Sequence, residues 1–320
     1  MKKVINYFLF IIISFSICGC ASQATSAEEY FSIGMAYFEL KKFEEAEMWL
    51  NRARQADRTM TASTYNLGRL AFERQKYDEA AKYFEDILKL DPLNVHALRA
   101  ASYTRIKTGE LEIADMHYAK LLTLVPESSD DGYNHALVLF AMERYSGAQE
   151  VLEKYPFALL DNKDVMLLYA RILNKQDKIE AIDCYAAWLN NYPDSKVRYE
   201  YAGILEQYKY YARAIEEYRS SLSGITASSV DPRRNEVLFA VARAVLTADS
   251  TDIKGIEELE AAVEGGFKDI EAVQALTGIE NLSQANLVSI NNIIDKLKGE
   301  AKNEEEPEVS ENDSESSSQL

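Results

Sequence analysis

The fold is decided by one stretch, Thr61–Asn94, which reads TASTYNLGRLAFERQKYDEAAKYFEDILKLDPLN. Its apolar and small residues recur at helical spacing in two consecutive segments, which predicts a pair of amphipathic helices. Gly68, at the eighth position, allows the two helices to approach closely. Ala80, at the twentieth position, is expected where the second helix crosses the first. Pro92 cannot continue a helix and therefore ends the second one.

The same pattern recurs along the chain with a period near 34 residues. Large apolar residues at positions 4, 7, 11, 24 and 27 of each unit are expected to fill the space between units. Two units depart from the pattern, since Arg105 stands where an aromatic residue is usual and Pro156 shortens a second helix. Six units are predicted, covering residues 27–60, 61–94, 95–128, 129–161, 162–194 and 195–228.

On these residues the chain resembles the tetratricopeptide repeat (TPR) family, and a generic helical bundle is the alternative. The resemblance implies an all-α fold, a right-handed α-solenoid of about six to seven helix pairs. Residues 229–298 are expected to form a degenerate seventh pair and two short capping helices that end near Lys298. Residues 299–320 are acidic, rich in serine and nearly devoid of apolar side chains, so they are predicted to be disordered.

The N-terminus has the features of a bacterial export signal. Lys2 and Lys3 precede a short apolar run, and the run closes with Ile17-Cys18-Gly19-Cys20, which resembles a lipoprotein box. The resemblance implies a signal peptide at 1–19, lipidation (palmitate) on Cys20 and a tether at 20–26. A conventional signal peptide and an uncleaved membrane anchor remain as alternatives. Ala21 after the cysteine favours the outer membrane, with the protein facing the periplasm.

Composition excludes several classes of function. The formal net charge of −17 repels nucleic acid, so no nucleic-acid partner is expected. Cys184 has no partner for an intramolecular disulfide, and the three histidines lack metal-ligand spacing. No glycine-rich phosphate loop or nucleophile elbow is present. The prediction is therefore a non-enzymatic protein without metal or cofactor.

The binding surface is expected on the first helices of the units, because TPR arrays bind partners in a concave groove lined by those helices. Positions 5 and 9 and their neighbours form an aromatic surface with a basic island at Arg69, Arg99 and Lys107, which suits an extended peptide or a helix. The carboxylate clamp of chaperone-binding TPR domains is absent, since Phe31, Met35, His96 and Ala100 do not fit it. The predicted groove residues are Phe31, Met35, Tyr65, Arg69, Arg99, Tyr103, Lys107, Tyr133, Leu137, Met166 and Tyr199.

Three hypotheses of function follow from these features. The first is a lipid-anchored interaction scaffold that binds envelope proteins in its groove. The second is a ligand-binding or accessory component of a solute-uptake system, with a site for an apolar small molecule; the chain is similar in layout to spirochaetal TPR lipoproteins. The third is a surface adhesin.

Overall fold

The computed structural model describes residues 26–305, with side chains up to residue 301. Within that range the chain forms 17 α-helices and one 3-10 turn, and no β-strand. None of the described helices combines the length and the apolar character needed to cross a bilayer. The predicted signal peptide, Cys20 and most of the acidic tail lie outside the described residues.

The chain divides into two compact units, Met1–Pro156 and Phe157–Leu320. In the first unit, each first helix packs against the second helix of its own pair, and each second helix packs against the next first helix. The helices of this unit are α1 (Ala27–Glu39), α2 (Phe43–Ala56), α3 (Thr61–Glu73), α4 (Tyr77–Leu90), α5 (Val95–Thr108), α6 (Leu111–Leu124), α7 (Ser129–Ala141) and α8 (Tyr145–Leu152).

A short helix, α9 (Pro156–Asp161), leads into the second unit, which continues the pairing. The fourth pair thus has a second helix of only eight residues, as the position of Pro156 predicts. The remaining helices are α10 (Lys163–Lys175), α11 (Ala181–Asn191), α12 (Ser195–Gln207), α13 (Tyr211–Ser221), α14 (Arg234–Ala248), α15 (Lys254–Glu264), α16 (Ile270–Ala275) and α17 (Gln284–Glu305).

The turn inside each of the first six pairs repeats one backbone feature. A single residue there takes a left-handed conformation, with φ between 54° and 79°, which ends the first helix and reverses the chain. Glycine supplies it only at Gly109, whereas the other five turns place a side chain in this less favourable region. The residues concerned are Lys41, Gln75, Gly109, Glu143, Asp177 and Lys209. Their regular spacing confirms the period read from the sequence.

Small residues lie where the helices of a pair cross. A Cβ atom built on Gly34 would lie 2.9 Å from Leu50 Cγ, and one on Gly68 would lie 2.6 Å from Phe84 Cε1. The twentieth position is alanine in all six units, and each of these alanines is fully buried. They are Ala46, Ala80, Ala114, Ala148, Ala181 and Ala214. The predicted close approach of the two helices is therefore confirmed.

The C-terminal end differs from the expectation of two short helices. One short helix, α16, is followed by the 22-residue α17, which runs past Lys298 to Glu305. Four apolar residues of α17 are buried in the core of the seventh pair. This packing stabilises the helix, and the polar residues that follow continue it to Glu305. The boundary of the tail predicted at 299 is therefore wrong. The buried residues are Ile290, Ile293, Ile294 and Leu297.

Candidate functional site

A small cavity lies between α3 and α5 of the first unit, and we call it the aromatic cavity. Its volume is about 160 Å³. The rings of Phe72 and Tyr103 lie 5.5 Å apart beside it, and 43% of Tyr103 is exposed to solvent. Rigid aromatic side chains supply contact area at low entropic cost. The lining residues are Arg69, Phe72, Glu73, Phe84, Ala100, Tyr103 and Thr104.

Two cations of the predicted basic island remain available at the aromatic cavity. The guanidinium of Arg69 lies 5.0 Å from the Phe38 ring and donates a hydrogen bond to Asn66 Oδ1. Lys107 Nζ lies 5.3 Å from the ring of Tyr103. Within residues 26–305 neither cation forms an ion pair, so both can meet an acidic group of a partner.

Arg99 is a different case, because it binds a carboxylate of its own chain. Its Nε and Nη2 donate to Asp131 at 2.7 and 2.6 Å, and the Asp131 side chain is only 1% exposed. This bidentate pair joins α5 to α7. Arg99 was predicted as part of the basic island of the groove, but the structure shows it paired with Asp131. Asp131 lies in the first turn of α7, and its carboxylate therefore does more than place a negative charge at a helix start.

The pairing sets the titration of Asp131. Burial raises the pKa of this carboxyl, but the hydrogen bonds from Arg99 and Ser128 outweigh burial and hold the pKa below its ordinary value of 3.8. The pKa of Arg99 is raised in turn by the hydrogen bonds to Asp131. The ionised pair therefore stabilises the folded first unit.

We expect Asp131→Asn to lower the free energy of unfolding of the first unit by about 1–2 kcal/mol at pH 7, since Arg99 is partly solvated. A carboxyl whose folded pKa is depressed stabilises above its unfolded pKa, and this contribution is lost as the pH falls through the folded pKa. The gap between wild type and variant should thus shrink below about pH 3.8 in urea titrations. A gap that stays constant from pH 7 to pH 2.5 would contradict the assignment.

The structure places most of the position-5 residues against the core rather than in an open groove. Tyr65 is half-buried, with its ring 5.5 Å from that of Phe84. Phe31 packs against the buried core of the first two helix pairs, which includes Leu50 and Leu67. Tyr133 is half-buried too. In the second unit, Met166 and Tyr199 pack on the buried core. Position 5 thus contributes mainly to packing between helices.

Position 9 of the repeat, by contrast, places side chains in solvent, and it does so in the first unit alone among the described residues. Arg69 and Tyr103 are exposed there, as is Leu137 at 36%, while Met35 is half-buried beside Phe38. In the second unit the matching Ala170 is fully buried. The candidate site therefore belongs to the first unit. The sequence alone does not single out Glu73, Ala100 and Thr104, which only the fold brings to the cavity.

The first helices of the second unit are instead joined by two bidentate ion pairs. Arg171 Nε and Nη2 donate to Glu200 at 3.0 and 2.8 Å, and Arg243 donates twice to Glu206 at 2.8 Å. Both carboxylates also accept from a tyrosine hydroxyl that is almost fully buried. The charged side chains of this surface are therefore paired with one another across neighbouring first helices.

Metal-ligating side chains are scattered over the part of the chain that the structure describes. No group of three or more His, Cys, Asp or Glu side chains in that part could hold a metal ion. Cys184 is half-buried, and burial raises the pKa of its thiol, which disfavours the reactive thiolate.

Models of a repeat family match the chain at two places. Each is described as a tetratricopeptide repeat, one at residues 27–59 and one at 63–94, which are the first two helix pairs. The chain therefore contains tetratricopeptide repeats at these two places. Folds of this kind typically serve as non-enzymatic scaffolds for protein–protein interaction.

Parts of the chain are also similar to known proteins. A lipoprotein of Treponema pallidum, itself uncharacterized, is 24% identical over 56% of this chain and 91% of its own length. The mouse N-alpha-acetyltransferase 16, an auxiliary subunit of NatA, is 27% identical over 46% of this chain, which covers only 18% of that protein. Among solved structures, a tetratricopeptide repeat protein from Parabacteroides merdae superimposes with a TM-score of 0.54 at 17% identity. That match covers 80% of this chain and 99% of the other, and it establishes the α-solenoid fold alone.

Proposed function

We propose that this TPR protein is a lipid-anchored scaffold of the bacterial cell envelope that binds a segment of a partner protein at the aromatic cavity. The observation that carries the proposal is the exposed pair of Tyr103 and Arg69 at the rim of that cavity. Tyrosine and arginine are the residue types that most often dominate binding energy at protein interfaces. Elsewhere in the first unit, most aromatic side chains of the first helices are at least half-buried.

The size of the cavity favours a peptide over a small molecule. Pockets for drug-sized ligands enclose about 300–1,000 Å³. The aromatic cavity, at about 160 Å³, has room for a single apolar side chain. A partner segment would insert one such side chain beside Tyr103 and place acidic groups near Arg69 and Lys107. An apolar small ligand of a solute-uptake system would have to bind elsewhere.

The lipid anchor is proposed on two grounds. The sequence Ile17-Cys18-Gly19-Cys20 resembles a lipoprotein box, and the Treponema pallidum relative is a lipoprotein. Acyl chains on Cys20 would add about 0.8 kcal/mol per buried methylene and hold the protein stably when two or three are present. Labelling with palmitate that depends on Cys20 tests the anchor, whose place is proposed to be the outer membrane, facing the periplasm.

The groove is tested by retention of partners on the full-length protein. We expect Tyr103→Ala combined with Arg69→Gln to weaken binding at least about 30-fold, because truncating an interface hot spot costs about 2 kcal/mol or more. Quantitative mass spectrometry of envelope proteins that co-purify with the anchored chain measures this loss.

Met116→Ala is the matched control, since Met116 is 59% exposed on a second helix and lies outside the cavity. Circular dichroism should show both variants folded like the wild type. Equal retention of the same partners by all three proteins would refute the groove assignment.

A further inference from the structure

A second cavity of the first unit is larger than the aromatic one, and six of its eight lining residues are polar. It lies where the end of α2, the start of α3 and the end of α4 meet, and its volume is about 340 Å³. It shares no lining residue with the aromatic cavity. We call it the polar cavity; its lining residues are Arg54, Gln55, Arg58, Thr61, Thr64, Asp86, Ile87 and Leu90.

The start of α3 faces this cavity without a side-chain cap. Five other first helices have Ser, Asn or Asp at the N-cap, whose oxygen accepts from the first turn. At α3 the N-cap is Met60, which has no oxygen and makes no such bond. The backbone N–H of Thr61, which lines the cavity, has no acceptor among the described residues, and an unpaired N–H at a helix start attracts anions.

Thr64 supplies an independent sign of a missing ligand. This residue is only 8% exposed, yet its hydroxyl has no hydrogen-bond partner within residues 26–305. The buried hydroxyls of Ser102 and Thr104, by contrast, bond to the carbonyl four residues back, of Leu98 and Ala100, both at 2.7 Å. Thr64 lines the cavity, and its hydroxyl is open to that space, so it is suited to a ligand.

The charge around the polar cavity is positive in an otherwise acidic protein. Arg54 lies 5.4 Å from the Tyr83 ring, and neither Arg54 nor Arg58 forms an ion pair in the described part of the chain. Asp86 is the one carboxylate in the lining, and it is bonded to Lys89 Nζ at 2.8 Å. The two guanidiniums are thus free to bind an anion.

We propose that the polar cavity binds the phosphate group of a small organic phosphate. Two guanidiniums, two threonine hydroxyls and the backbone N–H of Thr61 supply more donors than the two oxygens of a carboxylate accept, and they match the three terminal oxygens of a phosphate. Ile87 and Leu90, the latter 68% exposed, would contact an apolar body next to that group. This binding does not depend on the proposed function of the aromatic cavity.

Titration calorimetry of the full-length protein with hexyl phosphate, inorganic phosphate and hexanoate tests the site. We expect hexyl phosphate to bind most tightly and hexanoate at least about tenfold more weakly. Thr64→Val and Arg58→Gln should each weaken hexyl phosphate about tenfold, because a hydrogen bond to a charged group contributes about 1.5 kcal/mol or more. Arg52→Gln is the matched control, since Arg52 lies over the Trp49 ring and outside the lining.

Thr64→Val also separates binding from folding. Without ligand this variant should melt close to the wild-type temperature, since it removes a hydroxyl that forms no hydrogen bond within residues 26–305 and keeps the shape of the side chain. Weaker binding at unchanged stability therefore supports the site. Hexanoate binding as tightly as hexyl phosphate, or hexyl phosphate affinity equal in wild type and both cavity variants, would overturn the proposal.

Vesicles identify the source of the phosphate. Binding to phosphatidylcholine vesicles that contain phosphatidate, lost in Thr64→Val, would assign a lipid headgroup, whereas binding of hexyl phosphate alone assigns a soluble organic phosphate. Both results support a phosphate site. Binding to neither would contradict it.

Discussion

Replacing Gly68 with valine is expected to lower the free energy of unfolding of the first unit by about 3 kcal/mol. A Cβ atom at this position would lie 2.6 Å from Phe84 Cε1 and 2.8 Å from Phe84 Cζ, well inside van der Waals contact. Phe84 is 2% exposed and borders only the small aromatic cavity, so most of its ring is enclosed by packed side chains. Valine would therefore force the two helices of the second pair apart.

Gly147→Ala is the matched control for this prediction. Gly147 lies in helix α8, and a Cβ atom there would have Leu139 as its nearest neighbour at an ordinary 3.7 Å. Alanine in a helix is favoured over glycine by about 0.5–1 kcal/mol, so this variant should be slightly more stable than the wild type. Hydrogen exchange of peptides from the first unit measures both changes. Wild-type protection of α3 and α4 in Gly68→Val would contradict the packing described.

Glu206→Ala is expected to destabilise the second unit by about 2–3 kcal/mol. Glu206 accepts two hydrogen bonds from Arg243 and one from the hydroxyl of Tyr218, each at 2.8 Å. The hydrogen bonds to Glu206 raise the pKa of Arg243, and burial, together with the Glu206 charge, raises the pKa of Tyr218. Alanine would leave a guanidinium and a buried hydroxyl without their acceptor.

Glu206→Gln separates the charge from the hydrogen bond, because glutamine keeps one acceptor oxygen. The free energy of unfolding of Glu206→Gln should lie between those of the wild type and of Glu206→Ala. Hydrogen exchange should show the loss in α12 to α14 and leave α1 to α4 unchanged, since each helix pair contacts only its neighbours. Uniform loss along the whole chain, or none, would contradict this account.

The fold was largely predictable, because its determinants are local and repeated. Gly68, Ala80 and Pro92 each occupy a fixed place in a unit, and the same places hold small residues or helix ends elsewhere. The period alone therefore fixes which helices pair and where each pair turns. The exception, α17, arises because apolar residues near its start pack on the seventh pair, and a composition-based boundary cannot include that contact.

The site was only partly predictable. General TPR positions indicated Arg69 and Tyr103, which line the aromatic cavity, and they also indicated Arg99, whose partner Asp131 lies 32 residues away on the next first helix. Whether an arginine remains unpaired depends on which carboxylate of the neighbouring unit lies within about 3 Å of it. The residue spacing within one unit does not reveal that neighbour. Likewise, only the structure shows that Thr64 is 8% exposed and that its hydroxyl forms no hydrogen bond within residues 26–305.

The most direct test of partner binding at the aromatic cavity is photo-crosslinking in living cells. A benzophenone amino acid replaces Tyr103 in one full-length protein and Met116 in another, so that both exposed positions report on their neighbours. The account predicts a discrete protein adduct at position 103 that is absent at position 116 and is lost when Arg69→Gln is added. The same adducts at both positions, or an adduct at 116 alone, would contradict it.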